Sequence, residues 1–269
     1  MTSLKRWIIC ILSTSSLLMG CATQPHSIPL PAIAAPYATV TPKGNAQPDD
    51  TAWQHAATIN ELSHCDRKAT SKLNPTVVKV LWDKDYLYVR FICEDDQIFT
   101  PHAKTRDGRH HQGDVVEVFI DPIGDGRQYV EVQVNPVGGV LDVLHMNTTS
   151  QVPSSTPILP REDWPTNHWG VFEWDMPELR TASSTHWQAG KPVQWISDFA
   201  IPAKTLLRRL AVEHFEPMQM RINFLRCDGP ADLSTHKRTR LIASSWAFVP
   251  TGLPHLAPGS MGIITLTDK

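Results

Sequence analysis

Two stretches place carboxylates, amides and rings at every second position, an arrangement suited to a ligand rich in hydroxyls. In Gln128–Asn135, Tyr129, Glu131, Gln133 and Asn135 alternate with Val130, Val132 and Val134. In Asp114–Asp121, Val115, Glu117 and Phe119 alternate with Val116, Val118 and Ile120. Successive strand residues point to opposite faces, so one branched row belongs to a core and the polar row to the reverse side. Each sugar hydroxyl wants both a donor and an acceptor. Glu117, Gln133 and Asn135 would bind hydroxyls, and Asp114 and Glu131 would orient their neighbours. A solvated outer sheet face has the same alternation, and the pattern alone leaves both readings open.

Other chemistries have candidate residues of their own. Glu94, Asp95 and Asp96 with Asp114 and Glu117 could supply the paired acids of glycoside hydrolysis, which needs two carboxylates held across a cleft. Adjacent acids at a strand end are more often solvated or bound to calcium, so no catalytic residue is assigned. Asp121-Pro122-Ile123-Gly124-Asp125-Gly126 could help hold Ca²⁺ through its oxygens. It lacks the full calcium-loop signature and reads first as a turn, so no cofactor is expected beyond an optional Ca²⁺. His102, His110 and His111, with His255, could meet a transition metal, but adjacent histidines in a charged loop are usually unligated, and no metal ligand is assigned. No axial pair for a haem is identifiable, nor any nucleophile elbow, phosphate loop or dinucleotide fingerprint.

The elements that must position the polar rows are strands. Val77–Trp82 and Tyr86–Cys93 flank Asp83-Lys84-Asp85, an Asx-type hairpin turn. Asp114–Asp121 and Arg127–Asn135 flank a turn rich in Pro and Gly. Val193–Ile201, Gln219–Arg226, Ser244–Val249 and Gly262–Thr267 complete the set, and Ala203–Leu210 after Pro202 is the one helical stretch. Many strands, one short helix and frequent turns predict an all-β protein, a single antiparallel β-sandwich with long loops. Asn147–Thr166 is polar and Pro-rich and reads as such a loop. Of Trp164, Trp169, Trp174, Trp187 and Trp195, Trp187, in a Ser/Thr-rich stretch, is the candidate for an exposed stacking ring.

Composition and the N-terminus set the compartment. The chain has 269 residues, 41% hydrophobic and 19% charged, with net charge -2. It can bury a core, and it lacks the basic balance a nucleic-acid binder needs. Lys5 and Arg6 precede an uncharged run, Trp7–Met19, too short for a stable span. Leu17-Leu18-Met19-Gly20-Cys21 looks like a lipobox, so residues 1–20 read as a lipoprotein signal peptide and Cys21 as the lipidation site. Ala22, in place of an Asp retention signal, points to the outer membrane, facing periplasm or cell surface. Residues 21–42, with Pro25, Pro29, Pro31, Pro36 and Pro42, read as a Pro-rich tether; the domain is expected over 43–269. Cys65, Cys93 and Cys227 permit one disulfide in an oxidising compartment, with the pairing open.

With these segments in view, a family resemblance emerges. Trp82–Phe91 followed by Glu94-Asp95-Asp96 resembles the early hairpin of family 9-like carbohydrate-binding domains. Gly113–Pro122 resembles their most diagnostic segment, and Tyr129–Pro136 the strand after it. Phe199-Ala200-Ile201-Pro202, Arg221–Phe224, Trp246 and Gly262–Leu266 are similar to later segments. The resemblance implies a jelly-roll-like β-sandwich related to the wider DOMON group, and a site that clamps a sugar between two aromatic rings. The clamp positions match His111 and His255, where the family's appended xylanase modules carry Trp; Gln133 replaces an Arg, while Glu117 retains the family's carboxylate. The implied ligand-binding set is His111, Asp114, Glu117, Glu131, Gln133, Asn135, Trp246 and His255. The function this implies is a membrane-anchored, non-catalytic carbohydrate-binding lipoprotein with an oligo- or polysaccharide partner, accessory to extracytoplasmic polysaccharide catabolism. The alternative is an envelope partner-binding or structural lipoprotein that has lost sugar binding; a glycoside hydrolase or a haem protein stands behind both.

Overall fold

Val116, Val118 and Ile120 face Val130, Val132 and Val134 from neighbouring strands, and all six are buried in one core. The computed structural model describes residues 29–65, 68–147, 168–249 and 254–268. In chain order the strands are β1 (Ala32–Ala35), β2 (Ala57–Ile59), β3 (Ser63–His64), β4 (Thr76–Trp82), β5 (Tyr86–Glu94), β6 (Val115–Asp121), β7 (Gln128–Val134) and β8 (Val140–Asn147). They continue as β9 (His168–Val171), β10 (Arg180–Gln188), β11 (Lys191–Pro202), β12 (Gln219–Asp228), β13 (Ala231–Asp232), β14 (Lys237–Arg238), β15 (Ile242–Ser245) and β16 (Gly262–Leu266). One sheet runs β1-β16-β12-β6-β7-β8-β9, with β15 against β12 and β3 against β15. The second runs β10-β11-β5-β4-β2. The fold is an all-β sandwich, as the strand pattern predicted.

Between the sheets the inner rows interdigitate. Phe91 of β5 is fully buried, 5.7 Å from the Phe199 ring and edge-on to Phe224 at 6.0 Å. Burying each such side chain stabilises by about 1.5–3 kcal/mol. The Asx turn forms as expected: Asp83 Oδ1 accepts from the Asp85 and Tyr86 amides at 2.8 Å each. On the outside of the second sheet, Arg90 and Asp198 sit directly opposite each other and pair bidentately at 2.7 and 2.8 Å. Asp198 also accepts from Ala46 N, and Arg90 donates to Gln47 O, which fastens that segment over the sheet.

Several boundaries differ from the sequence expectation. The expected tether is not free between residues 32 and 38: β1 pairs in parallel with β16, and the Tyr37 ring meets Trp82 edge-on at 5.0 Å. Pro31 and Pro36 bracket a small apolar strand at the sheet edge, a position where Pro is tolerated, so the domain begins ahead of residue 43. The expected helix Ala203–Leu210 splits into α1 (Ala203–Leu206) and a 3-10 turn (Arg208–Leu210), closed by Ala211 at φ 55°. The strand expected at Ser244–Val249 lies earlier, as β15. The expected signal peptide, Cys21 and residues 148–167, which hold most of the expected loop and Trp164, lie outside the described residues. Among the described residues no helix is long and apolar enough to cross a membrane.

Replacing Phe91 by Ala removes the ring that contacts both sheets. The expected cost is about 3–5 kcal/mol, read as a lower urea midpoint at unchanged slope; a cost within 1 kcal/mol would mean the core is not centred there.

Candidate functional site

The register of β6, β7 and β8 sets Glu117 opposite Gln133, Phe119 opposite Glu131, and Tyr129 opposite His145. All six therefore share the face turned away from the core. That face is not solvated. Glu117 is 4% exposed, Glu131 6%, Gln133 4% and His145 1%. Met261 packs with Phe119, Tyr129, Leu225 and Cys65 over one part of it. The Tyr129 hydroxyl donates to the His255 carbonyl, and the His255 ring lies nearly parallel to His145 at 6.1 Å.

A chain of hydrogen bonds crosses this face. Glu131 Oε2 meets His145 Nε2 at 2.7 Å, His145 Nδ1 meets His168 Nε2 at 3.2 Å, and His168 Nδ1 meets Asn147 Oδ1 at 2.7 Å. Asn147 Nδ2 donates to Gly126 O, which fixes the amide so that its oxygen faces His168. The chain thus has an acceptor at each end. Three hydrogen bonds need three protons, and two neutral imidazoles carry two. The third proton lies in the Glu131–His145 contact, as an imidazolium beside a carboxylate or as a carboxylic acid beside an imidazole. Burial opposes the Glu131 charge, but the His145 hydrogen bond and charge, His255 and the Gln133 amide outweigh it and hold Glu131 below the usual carboxylate range. That keeps Glu131 ionised. His168 is pushed down to about 3 by burial and by His145 and His255, so it stays neutral.

Glu117 takes the opposite course. Burial first, and then the charge of Glu131, push its carboxyl up to about 8. The environment separates the two acids, one ionised and one protonated, as in sites that assign different roles to paired carboxylates. Gln133 Nε2 donates to Glu131 Oε1 at 2.5 Å, which leaves Gln133 Oε1 buried with no hydrogen-bond partner.

The remaining expected residues fall elsewhere. Asn135 is not available to a ligand: its Oδ1 accepts from Val137 N and Gly139 N, and its Nδ2 donates to Ala103 O at 2.5 Å. It staples two loops. Asp114 is fully buried; it accepts from Phe99 N at 2.5 Å and from Arg238 at 2.8 Å, and so orients its neighbours. Trp246 packs against Phe224 at 5.6 Å on the core side and is no sugar platform. His111 is exposed in the 3-10 turn His110–Gln112, beside the Asn135 end of β7, while His255 sits at the Tyr129 end. Six residues of strand, roughly 20 Å, separate those ends, and the structure does not bring the two histidines together as a clamp.

Other expectations resolve similarly. Asp121 uses both oxygens on the N–H groups of Ile123, Gly124 and Gly126, so its turn is closed by its own backbone. His110 is buried and bonded to Thr105 O and Asn135, and His102 meets Gln112. Asp95 and Asp228 pair with buried Arg226 at 2.9 Å each. Cys65, Cys93 and Cys227 are all free thiols. Cys65 and Cys227 lie on either side of Ala243 of β15, two strand spacings or about 9–10 Å apart, beyond disulfide reach. Trp187 is 64% exposed near the tip of the β10–β11 hairpin, whereas Trp195 is core. Sequence reasoning missed His145, His168 and Asn147.

Residues 45–137 match the family described as carbohydrate family 9 binding domain-like. No curated protein matches the chain. Among solved structures, a Bacteroides uniformis ATCC 8492 protein assigned to carbohydrate binding aligns with TM-score 0.63 at 16% identity, over 88% of this chain and 99% of that one. A family 9 carbohydrate-binding module from Caldicellulosiruptor kristjanssonii in complex with glucose aligns with TM-score 0.56 at 16% identity, over 89% and 97%. The module from that organism in complex with cellotriose gives TM-score 0.55 at 16% identity, over 89% and 95%. At this identity the structures establish a shared fold.

A carboxyl whose pKa is raised on folding contributes stability that is full below its unfolded value and lost as pH rises through its folded value. Asp114, pushed up to about 7 by burial and Asp95, completes this loss near neutrality; Glu117 continues it to about 8. The urea midpoint is therefore expected to fall between pH 7 and pH 9, and Glu117→Gln to flatten that limb and exceed the native chain at pH 9. An unchanged slope in the variant would remove Glu117 from the account.

Proposed function

We propose, from the match of residues 45–137 to the carbohydrate family 9 binding domain-like family, that the chain is a non-catalytic saccharide-binding lipoprotein of the cell envelope, anchored through Cys21 and serving extracytoplasmic polysaccharide breakdown. The observation that carries this reading is the unmet Gln133 Oε1 between Glu117 and Glu131. A buried acceptor without a donor costs about 1–3 kcal/mol, and a ligand hydroxyl would supply the missing proton. The Glu117 carboxyl beside it, protonated, offers a donor to a second hydroxyl. The glucose and cellotriose held by the C. kristjanssonii modules are ligands of this chemistry. At the Tyr129 end His255 and Met261 cover this face, and a ligand entering there displaces them. The lipobox motif Leu17–Cys21 supports the anchor, and Ala22 supports the outer membrane; two or more acyl chains hold far better than one.

The closeness of the cover favours a second reading, an envelope protein that keeps the fold and binds a protein partner instead. Calorimetric titration of the lipid-free chain with a panel of oligosaccharides separates the two. The expected result is one oligosaccharide class bound at or below millimolar Kd, with affinity lowered about tenfold or more by Gln133→Leu, which deletes the acceptor together with the amide donor to Glu131, and lowered less by Gln133→Glu, which keeps an acceptor but loses that donor, while both variants stay folded by circular dichroism. No binding across the panel would leave the partner reading.

A further inference from the structure

The end of the sandwich that carries His111 also holds an open groove of about 420 Å³, between the loop around Phe99, Pro101 and Gln112 and the segment His236–Leu241. The second wall is the β13–β14 hairpin and the residues after it. Its turn is capped by Asp232, which accepts from Ser234 and Thr235. Arg238 rivets the wall to the body: it donates to Asp114 at 2.8 Å, to Gly229 O at 3.1 Å and to Gln112 O at 3.3 Å. With Arg238 so engaged, Lys237 and Arg240 are left exposed on the groove wall.

Charge is unevenly placed here. Among the described residues, neither Lys237 nor Arg240 makes an ion pair, and neither do Lys104 and Arg109 on the loop opposite. The nearby acids are already engaged. Asp114 is met by Arg238, Asp107 by Arg106, and Asp232 by its own turn. The chain as a whole is slightly negative, at -2, so this groove is a local cationic excess rather than a sample of the average surface. Pro101 and Leu241, the latter 53% exposed, give it apolar sides. Gln112 uses its Oε1 on His102 and keeps its Nε2 to donate. The volume is within the range of small-ligand clefts.

We infer that this groove binds an acidic sugar residue, a hexuronate, whose carboxylate is met by Lys237 and Arg240 and whose ring lies between Pro101 and Leu241. The inference rests on the saccharide reading and names the class of glycan. A neutral sugar would leave the unpaired cations unused, whereas a carboxylate gains charge-assisted hydrogen bonds from both. His111 shares the 3-10 turn His110–Gln112 with Gln112.

The test titrates the chain with galacturonate and glucuronate trimers and with the neutral galactose and glucose trimers of the same linkage, in low and moderate salt. Lys237→Ala/Arg240→Ala alters only exposed side chains. Binding of an acidic trimer that weakens with salt, and about tenfold or more in the double variant, supports the inference. Equal binding of neutral and acidic trimers, or acidic binding untouched by the double variant, overturns it and leaves the saccharide reading in place. Citrate binding as tightly as the uronates would also overturn it, marking a site for anions in general. If no trimer of either kind binds, this inference falls, and the wider oligosaccharide panel alone decides the saccharide reading.

Discussion

A carboxylate in a dry place is tolerated only where a proton or a set of donors meets its charge, and the outward face of β6, β7 and β8 is such a place. Two glutamates sit there within reach of each other's field. One is neutralised by His145 and Gln133; the other keeps its proton. The hydrogen-bond chain through His168 to Asn147 makes the first solution possible, because Asn147 can only accept at its end and so sets the direction of every proton along the line. The valine stripes beneath hold the register that brings these groups together, and the turns around His255 and Met261 keep water away from them.

Buried charge does a second job in this molecule: it fastens loops to sheets. Arg90 with Asp198 holds the segment at Ala46 and Gln47; Arg226 with Asp95 and Asp228 reaches the backbone of Pro75 and Glu94; Arg238 with Asp114 holds the hairpin after β12. Breaking a buried pair of this kind by removing one partner typically costs about 3–5 kcal/mol, so these loops are parts of the fold and not appendages. Asp114 belongs to this class. Its type and position resemble a ligand-binding acid, but its oxygens are filled by Arg238 and by Phe99 N.

Most of the sandwich was legible because its central strands contrast an apolar row with a polar one, as β6 and β7 do, or are bounded by clear turns, as β4 and β5 are at Asp83. Legibility failed where the contrast vanished. In β8, Val140–Asn147, the outward row is Leu141, Val143 and His145 and the inward row includes Asp142, which turns out to meet Arg106 and the Met176 amide at the sheet's edge. Neither row looks like a core stripe, so the strand and with it His145 went unread. Strand β10 is Ser- and Thr-rich because it is a half-exposed edge, and β1 is hidden among prolines. The polar row of β7 was read correctly as one face, yet its end was misread: Asn135 lies one residue beyond the strand, where an amide closes a turn. Nothing local in the sequence distinguishes the two roles, since the partner atoms come from residues 103, 110 and 139.

The same burial that separates the two glutamates couples the face to its cover. If the turns at 254–260 lift and water enters, Glu117 regains its ordinary acidity and gives up its proton above the usual carboxylate range. Opening therefore releases the Glu117 proton between the ordinary carboxylate range and the closed-state value of about 8, and the wet, open state becomes more accessible as pH rises through that window. On the proposed saccharide reading, a guest whose hydroxyls donate to Gln133 Oε1 and accept from Glu117 would leave that proton in place, so opening to water and occupation by a polyol would differ in proton count.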